Sequence, residues 1–197
     1  MRILGKATSI NVRKVLWACE EIGIAYTRTD DGPELAANPN GLVPVIVDGD
    51  FVLWESNTII RYLANKHAGE ALLPGDPRRR AEVDRWIDWQ STEFNTAWRY
   101  AFSALVRRNP AYADTAQIEA SRREWNRMAG IVEAQLAMTK SYIAGSAFTL
   151  ADIPIGLSIN RWVLTPMDKP SLPSVEAYYE RLTLRPAFLK HGRNGIP

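Results

Sequence analysis

Met1 to Leu4 is a short apolar run that Gly5 interrupts, and the polar stretch Thr8-Ser9-Ile10-Asn11-Val12-Arg13-Lys14 follows. Val12, Val15, Leu16, Cys19 and Ile22 then recur at the spacing of one buried helical face. The spacing predicts a strand and then a helix. The helix starts among the capping residues Thr8, Ser9 and Asn11 and ends at Gly23. Residues 24–29 alternate apolar and polar as a half-buried strand does, and 30–40, broken by Gly32, Pro33 and Pro39, read as loop with at most one helical turn. Val45-Ile46-Val47 and Phe51-Val52-Leu53-Trp54 flank the turn residues Asp48-Gly49-Asp50, a hairpin pattern. Ile59, Ile60, Leu63 and Ala64 give the next helical stripe.

Strand, helix, strand, loop, hairpin and helix together predict a mixed sheet with helices on its faces. The pattern changes near Leu72. Leu73-Pro74-Gly75-Asp76-Pro77 is a linker ending in an N-cap and a first-turn proline. Everything beyond it reads as helix. Val83, Ile87, Phe94, Trp98, Ala101 and Leu105 fall on one face of a long helix that stops before Asn109-Pro110, and a second helix spans 115–138. At Thr149-Leu150-Ala151-Asp152 the threonine is placed to cap, Asp152 to reach back, and Phe148 to staple onto Ile153. Further helices begin at Leu172-Pro173-Ser174 and Arg185-Pro186. The division is 1–71, linker 72–77 and an all-helical 78–197.

Composition narrows the chemistry. The chain has 197 residues, a formal net charge of +2, one cysteine and two distant histidines. That balance does not favour a nucleic-acid partner, and Arg78-Arg79-Arg80 reads as a solvated helix start. A lone cysteine forms no internal disulfide and no cysteine-based zinc site, so no metal is expected. No apolar run reaches membrane-spanning length and no signal-like N-terminus is visible, which fits a cytoplasmic setting. Seven tryptophans are unusually many, most of them beyond the linker.

Three places could carry chemistry. At the start of the first helix, Arg13 and Lys14 stand where the dipole is already positive, which suits an anion such as a thiolate; an ordinary cap whose cations pair with a distant acid is the plainer alternative. At Trp54-Glu55-Ser56-Asn57, helix N–H donors and a hydroxyl beside a carboxylate acceptor complement an α-amino acid head group; a structural serine cap is the plainer alternative. At Val43-Pro44, a proline at a strand entrance is a candidate cis bond and leaves the backbone of Val43 open to an extended peptide; an edge-strand proline is the alternative.

In this order and spacing the segments 9–17, 38–45, 54–63 and 149–152 resemble those of the cytosolic glutathione S-transferase family, of the serine-dependent, theta- or zeta-like bacterial kind. The likeness covers essentially the whole chain. It implies a thioredoxin-like first domain with a mixed four-stranded sheet, an all-α second domain, a homodimer, and glutathione as cosubstrate without a cofactor. By the same likeness Ser9 would donate to the glutathione sulfur with Asn11 as assistant, and Val43 would pair with the cysteinyl backbone beside cis-Pro44. Glu55 and Ser56 would hold the γ-glutamyl ammonium and carboxylate. Trp98, Tyr100 and Phe102 are candidates for the electrophile pocket. Thr149 to Asp152 matches the family's folding box.

Two departures stand out. Residues 29–38 are shorter than in relatives, over the glycine end of glutathione, and Leu42 replaces a basic or amide residue. Cys19, on the buried face, is read as core rather than as the active cysteine of beta- or omega-like relatives.

The implied chemistry is energetically modest. Lowering a thiol from about 8.5 by two units takes roughly 2.7 kcal/mol of preference for the thiolate. One hydrogen bond to a charged acceptor contributes about 1.5–3 kcal/mol, and a helix N-terminus about 0.3–1. Ser9 and the helix end suffice. The expected reaction is thiolate attack on small apolar electrophiles; glutathione-dependent disulfide or peroxide reduction and a noncatalytic dimeric binding module are the alternatives.

Overall fold

The computed structural model describes residues 1–68 and 70–197. The first region forms a four-stranded mixed sheet in the order β2-β1-β3-β4, with β1 at Arg2–Leu4, β2 at Thr27–Thr29, β3 at Val45–Asp48 and β4 at Phe51–Trp54. β1 runs parallel to β2 and antiparallel to β3, and β3 pairs antiparallel with β4. Helix α1 (Ile10–Ile22) makes the crossover between β1 and β2, and α2 (Ser56–Leu63) follows β4. The register matters for function. Leu4 lies opposite Val45, and Val45 lies opposite Trp54. The exit of β1, the entrance of β3 and the exit of β4 therefore share one end of the sheet, and the three candidate stretches of the sequence meet there.

Helix α1 ends as its sequence predicts, with Gly23 in the left-handed conformation at φ 78°. Its burial exceeds one stripe: every residue from Val12 to Cys19 is buried, because the sheet lies on one side and the second region on the other. Residues 24–29 depart from expectation. Only Thr27–Thr29 is strand, and all three of its residues are exposed, since β2 is an edge with no core face of its own.

The second region contains α3 (Pro77–Trp89), α4 (Asn95–Ala97), α5 (Arg99–Leu105), α6 (Thr115–Thr139), α7 (Asp152–Leu164), α8 (Pro173–Leu182) and α9 (Pro186–His191). Asp76 caps α3 by accepting from the Arg79 N–H at 2.9 Å, while Arg78 and Arg79 are solvated. The expected single long helix before Asn109 is broken. A π-helical turn at Gln90–Phe94 and a kink at Trp98 divide it into three. Inserted turns of this kind re-aim side chains and gather at functional sites.

Asp152 is fully buried and accepts from the Thr149 N–H at 2.8 Å, the reach-back the sequence predicts. Thr149 does not return the cap; its hydroxyl also donates to Asp152. The other carboxylate oxygen takes the Ile143 N–H at 2.9 Å and the Tyr178 hydroxyl at 3.0 Å. One side chain thus ties the loop before α7 to α8. Among the described residues no helix is long and apolar enough to cross a membrane.

Candidate active site

Ser9 occupies the N-cap position of α1 in an extended conformation, and its side chain makes no cap bond. A serine there ordinarily spends its oxygen on the second or third N–H of the helix. Here the hydroxyl is free, and the first N–H groups of α1 keep their outward electrostatic bias.

The segment carrying Val43 is drawn against this turn by Gly5, which has φ 133°. A Cβ at Gly5 would lie 2.7 Å from both Val12 Cγ2 and Val43 Cβ, so only glycine permits the approach. The Val43-Pro44 peptide is cis, as the sequence reading allowed. Ser9, Asn11 and Val43 line one cavity of about 660 Å3, which opens between the sheet region and the helices.

Two expectations about charge are corrected. Arg13 does not reach the helix mouth. Its guanidinium is buried and donates to the carbonyls of His191 at 2.5 Å, Gly192 at 2.7 Å and Ile196 at 2.9 Å. Burial pushes its pKa down to about 10. Lys14 also turns inward, donating to Asn57 Oδ1 at 3.2 Å and Gln90 Oε1 at 3.1 Å. Desolvation pushes it down to about 8, against the attraction of Glu55. Among the described residues neither cation pairs with an acidic side chain, and neither lines the cavity, so both belong to packing. Sequence offered one hint of this: Trp17 and Ala18 lie off the predicted stripe, which implies a helix buried on more than one side.

Glu55 and Ser56 begin α2 at the same end of the sheet but lie off the cavity wall. Glu55 rather than Ser56 is the N-cap: its Oε2 accepts from the Thr58 N–H at 2.7 Å and the Thr58 hydroxyl at 3.0 Å. Its backbone has φ 74°. A non-glycine residue holds that strained conformation only where its surroundings impose it, and such positions gather at functional sites. Ser56 and Asn57 are buried, and Asn57 is held by Lys14, which locks the start of α2 to α1.

On the helical side, Trp98 and Phe102 line the cavity, and Tyr100 does not. Tyr100 faces a separate depression, stacks edge-on with Tyr112 and accepts the Asp114 N–H at 3.3 Å. Positions two apart on a helix point in different directions, so the three could not share one wall. The sequence reading missed Arg161 on α7, whose guanidinium carbon lies 4.4 Å from the Trp98 ring centre and 4.1 Å from that of Phe102. A charged residue within the otherwise uncharged run 153–162 is the signal the sequence offers. Burial pushes Arg161 down to about 9, so it stays cationic at neutral pH. Arg107 and Lys6 also line the cavity. Cys19 is fully buried, and burial pushes its thiol up to about 12, which leaves no thiolate at neutral pH.

A four-stranded mixed sheet with an uncapped serine helix start and a cis-proline loop, packed against a helical region that supplies an aromatic wall, defines the two-domain class in which a thioredoxin-like fold presents a thiol to a second substrate. Family models bear this out. The glutathione S-transferase N-terminal domain matches residues 4–71 and the C-terminal domain residues 95–186. The chain is 36% identical over 197 residues to glutathione S-transferase GstB of Escherichia coli (strain K12), covering 94% of each. It is 34% identical to glutathione S-transferase 3 of Zea mays, covering 96% of this chain and 92% of the other. Among solved structures, the theta class glutathione S-transferase of Xanthomonas axonopodis pv. citri with glutathione bound superposes with a TM-score of 0.89 at 41% identity, covering 96% of this chain and 95% of that one. The chain belongs to the glutathione S-transferase family and is a glutathione transferase.

Proposed function

We propose that this enzyme ionises the thiol of glutathione at Ser9 and directs the thiolate at small, largely apolar electrophiles held against Trp98 and Phe102. The free Ser9 hydroxyl at an uncapped helix start carries this reading. Its oxygen is unspent, so it can donate to sulfur, and the α1 N–H groups favour negative charge beside it. Asn11, on the same wall, assists. The Val43 backbone, next to the cis bond, takes the cysteinyl unit of the peptide. Glu55 Oε2 is committed to Thr58, which leaves Oε1 for the γ-glutamyl ammonium, while Ser56 and the first N–H groups of α2 meet its carboxylate. Nothing in this scheme calls on a metal or another cofactor. The glutathione-bound Xanthomonas relative supports the choice of peptide. The enzyme works in the cytoplasm as a homodimer, the arrangement that the family likeness implies.

The test is retention on glutathione resin together with turnover of 1-chloro-2,4-dinitrobenzene and of a glutathione mixed disulfide. Conjugation of the arene is the expected result. Turnover of the disulfide alone would move the function to reduction. Binding without turnover of either compound would leave a binding module.

A further inference from the structure

The helical side of the cavity holds a cation whose donors are mostly unmet among the described residues. Arg161 is 2% exposed, its Nε and Nη1 have no hydrogen-bond partner, and Nη2 reaches only the Pro197 carbonyl, at 3.5 Å. Trp98 Nε1 is a second buried donor without an acceptor. A buried guanidinium normally has its five donors met, because each orphan costs free energy comparable to a lost hydrogen bond. Stacking on Trp98 and Phe102 orients the guanidinium plane but accepts none of its in-plane protons.

Among the described residues no acidic side chain compensates it. Lys6, Arg99 and Arg107 line the same cavity, and the one acidic side chain of its lining, Asp30, is already paired with Arg28. Unmet donors and surplus positive charge beside an aromatic wall specify an occupant with an apolar body and an anionic group. Arg161 is also the residue type whose planar fork matches a carboxylate with two parallel bonds.

Building on the transferase reading above, we infer that the second substrate is an aryl or short alkyl electrophile bearing a carboxylate, which Arg161 receives beside Trp98 and Phe102 while Ser9 holds the sulfur. No covalent step is added to the reaction; the carboxylate positions the electrophilic carbon. The glycyl carboxylate of glutathione has the same chemistry, so the test must separate the two sources.

Calorimetry with 3-nitrobenzoate and 3-nitrobenzamide, with and without saturating glutathione, does so without relying on turnover. Expected is at least tenfold tighter binding of the carboxylate under both conditions. Equal affinities overturn the inference. A preference that vanishes when glutathione is present also overturns it, because the tripeptide then occupies Arg161. In the variant Arg161→Met, which retains length and stacking volume, the benzoate-to-benzamide affinity ratio falls about tenfold. An equal weakening of both ligands marks a structural role and counts against the inference. Turnover of 4-chloro-3-nitrobenzoate against 4-chloro-3-nitrobenzamide extends the test to catalysis. A preserved binding preference with no conjugation of any arene would keep the anion subsite and remove the transferase reading.

Discussion

Lys14 Nζ lies 3.1 Å from Gln90 Oε1 across the boundary between the sheet region and the helices. Gln90 Nε2 in turn donates to Ser158 at 2.9 Å, and Lys14 also donates to Asn57. A single buried cation with neutral acceptors thus joins α1, α2, the π-helical turn and α7. The arrangement costs stability, since the ammonium has left water without meeting a counter-charge. Burial pushes Lys14 from 10.5 to about 8. Between those values the unfolded chain holds more protons than the folded one, so stability rises with pH across that window and the full penalty is present below about 8. The pH dependence of urea unfolding from 7.5 to 10.5, taken as the difference between the native protein and Lys14→Met, is expected to show this gain, on the order of 3 kcal/mol, because the other shifted groups act equally in both. Parallel pH profiles for the two proteins would refute the assignment.

Ser9→Ala removes the hydroxyl proposed to hold the thiolate. Loss of one charge-assisted hydrogen bond, about 1.5–3 kcal/mol, corresponds to roughly a 10- to 100-fold fall in kcat/KM near neutral pH. The acidic limb of the pH-rate profile moves upward by about one to two units, so activity is partly regained in alkaline buffer. A profile that keeps its midpoint would transfer the role to Asn11.

Asp152 accepts four donors in a fully buried position: the N–H groups of Ile143 and Thr149 and the hydroxyls of Thr149 and Tyr178. Asp152→Ala leaves two backbone donors, one buried and one half-buried, without their partner and opens a void beneath Tyr178. The expected loss is about 3–5 kcal/mol, in the range for breaking a buried network, read as a lowered urea midpoint. Tyr178→Phe removes only one of the four donors and is expected to cost about 1 kcal/mol. Comparable losses for the two variants would show that packing, rather than the carboxylate, holds this corner.

Much of this was legible in the residue pattern because local rules agreed with the fold. Gly23 stops α1, Asp48-Gly49 turns the hairpin, and Asp76-Pro77 starts α3, each by backbone chemistry that needs no tertiary information. The failures share one cause. Gln90 to Phe94 carries no glycine or proline, so nothing local announces a π-helical turn; its side-chain bonds to Lys14 and Ser158 exist only after the two regions meet. Arg13 and Lys14 were assigned to the helix mouth by dipole reasoning, which cannot see that α1 is covered on both sides. The same limit hides Arg161, since a lone cation on a helix acquires meaning from the aromatic rings that another helix brings to it.

Gly5 offers a direct test of how the cis-proline loop is held beside Ser9. Two separate penalties act there, a backbone at φ 133° and a Cβ that would sit 2.7 Å from Val12 and Val43. Gly49 provides the control, because it has φ 68° with nothing within 4 Å of a Cβ. Gly49→Ala therefore measures backbone strain alone, about 1–2 kcal/mol. Gly5→Ala adds the steric conflict and is expected to cost about 2–4 kcal/mol, since Val12 is packed in the core and cannot withdraw. The remaining outlet is movement of Val43, a cavity-lining residue, away from Gly5, so the glutathione dissociation constant should rise in Gly5→Ala and stay unchanged in Gly49→Ala. Chemical unfolding and calorimetric titration of the two variants read these effects separately. If Gly5→Ala proves as mild as Gly49→Ala and binds the peptide normally, the close approach of Val43 to Gly5 does not set the site.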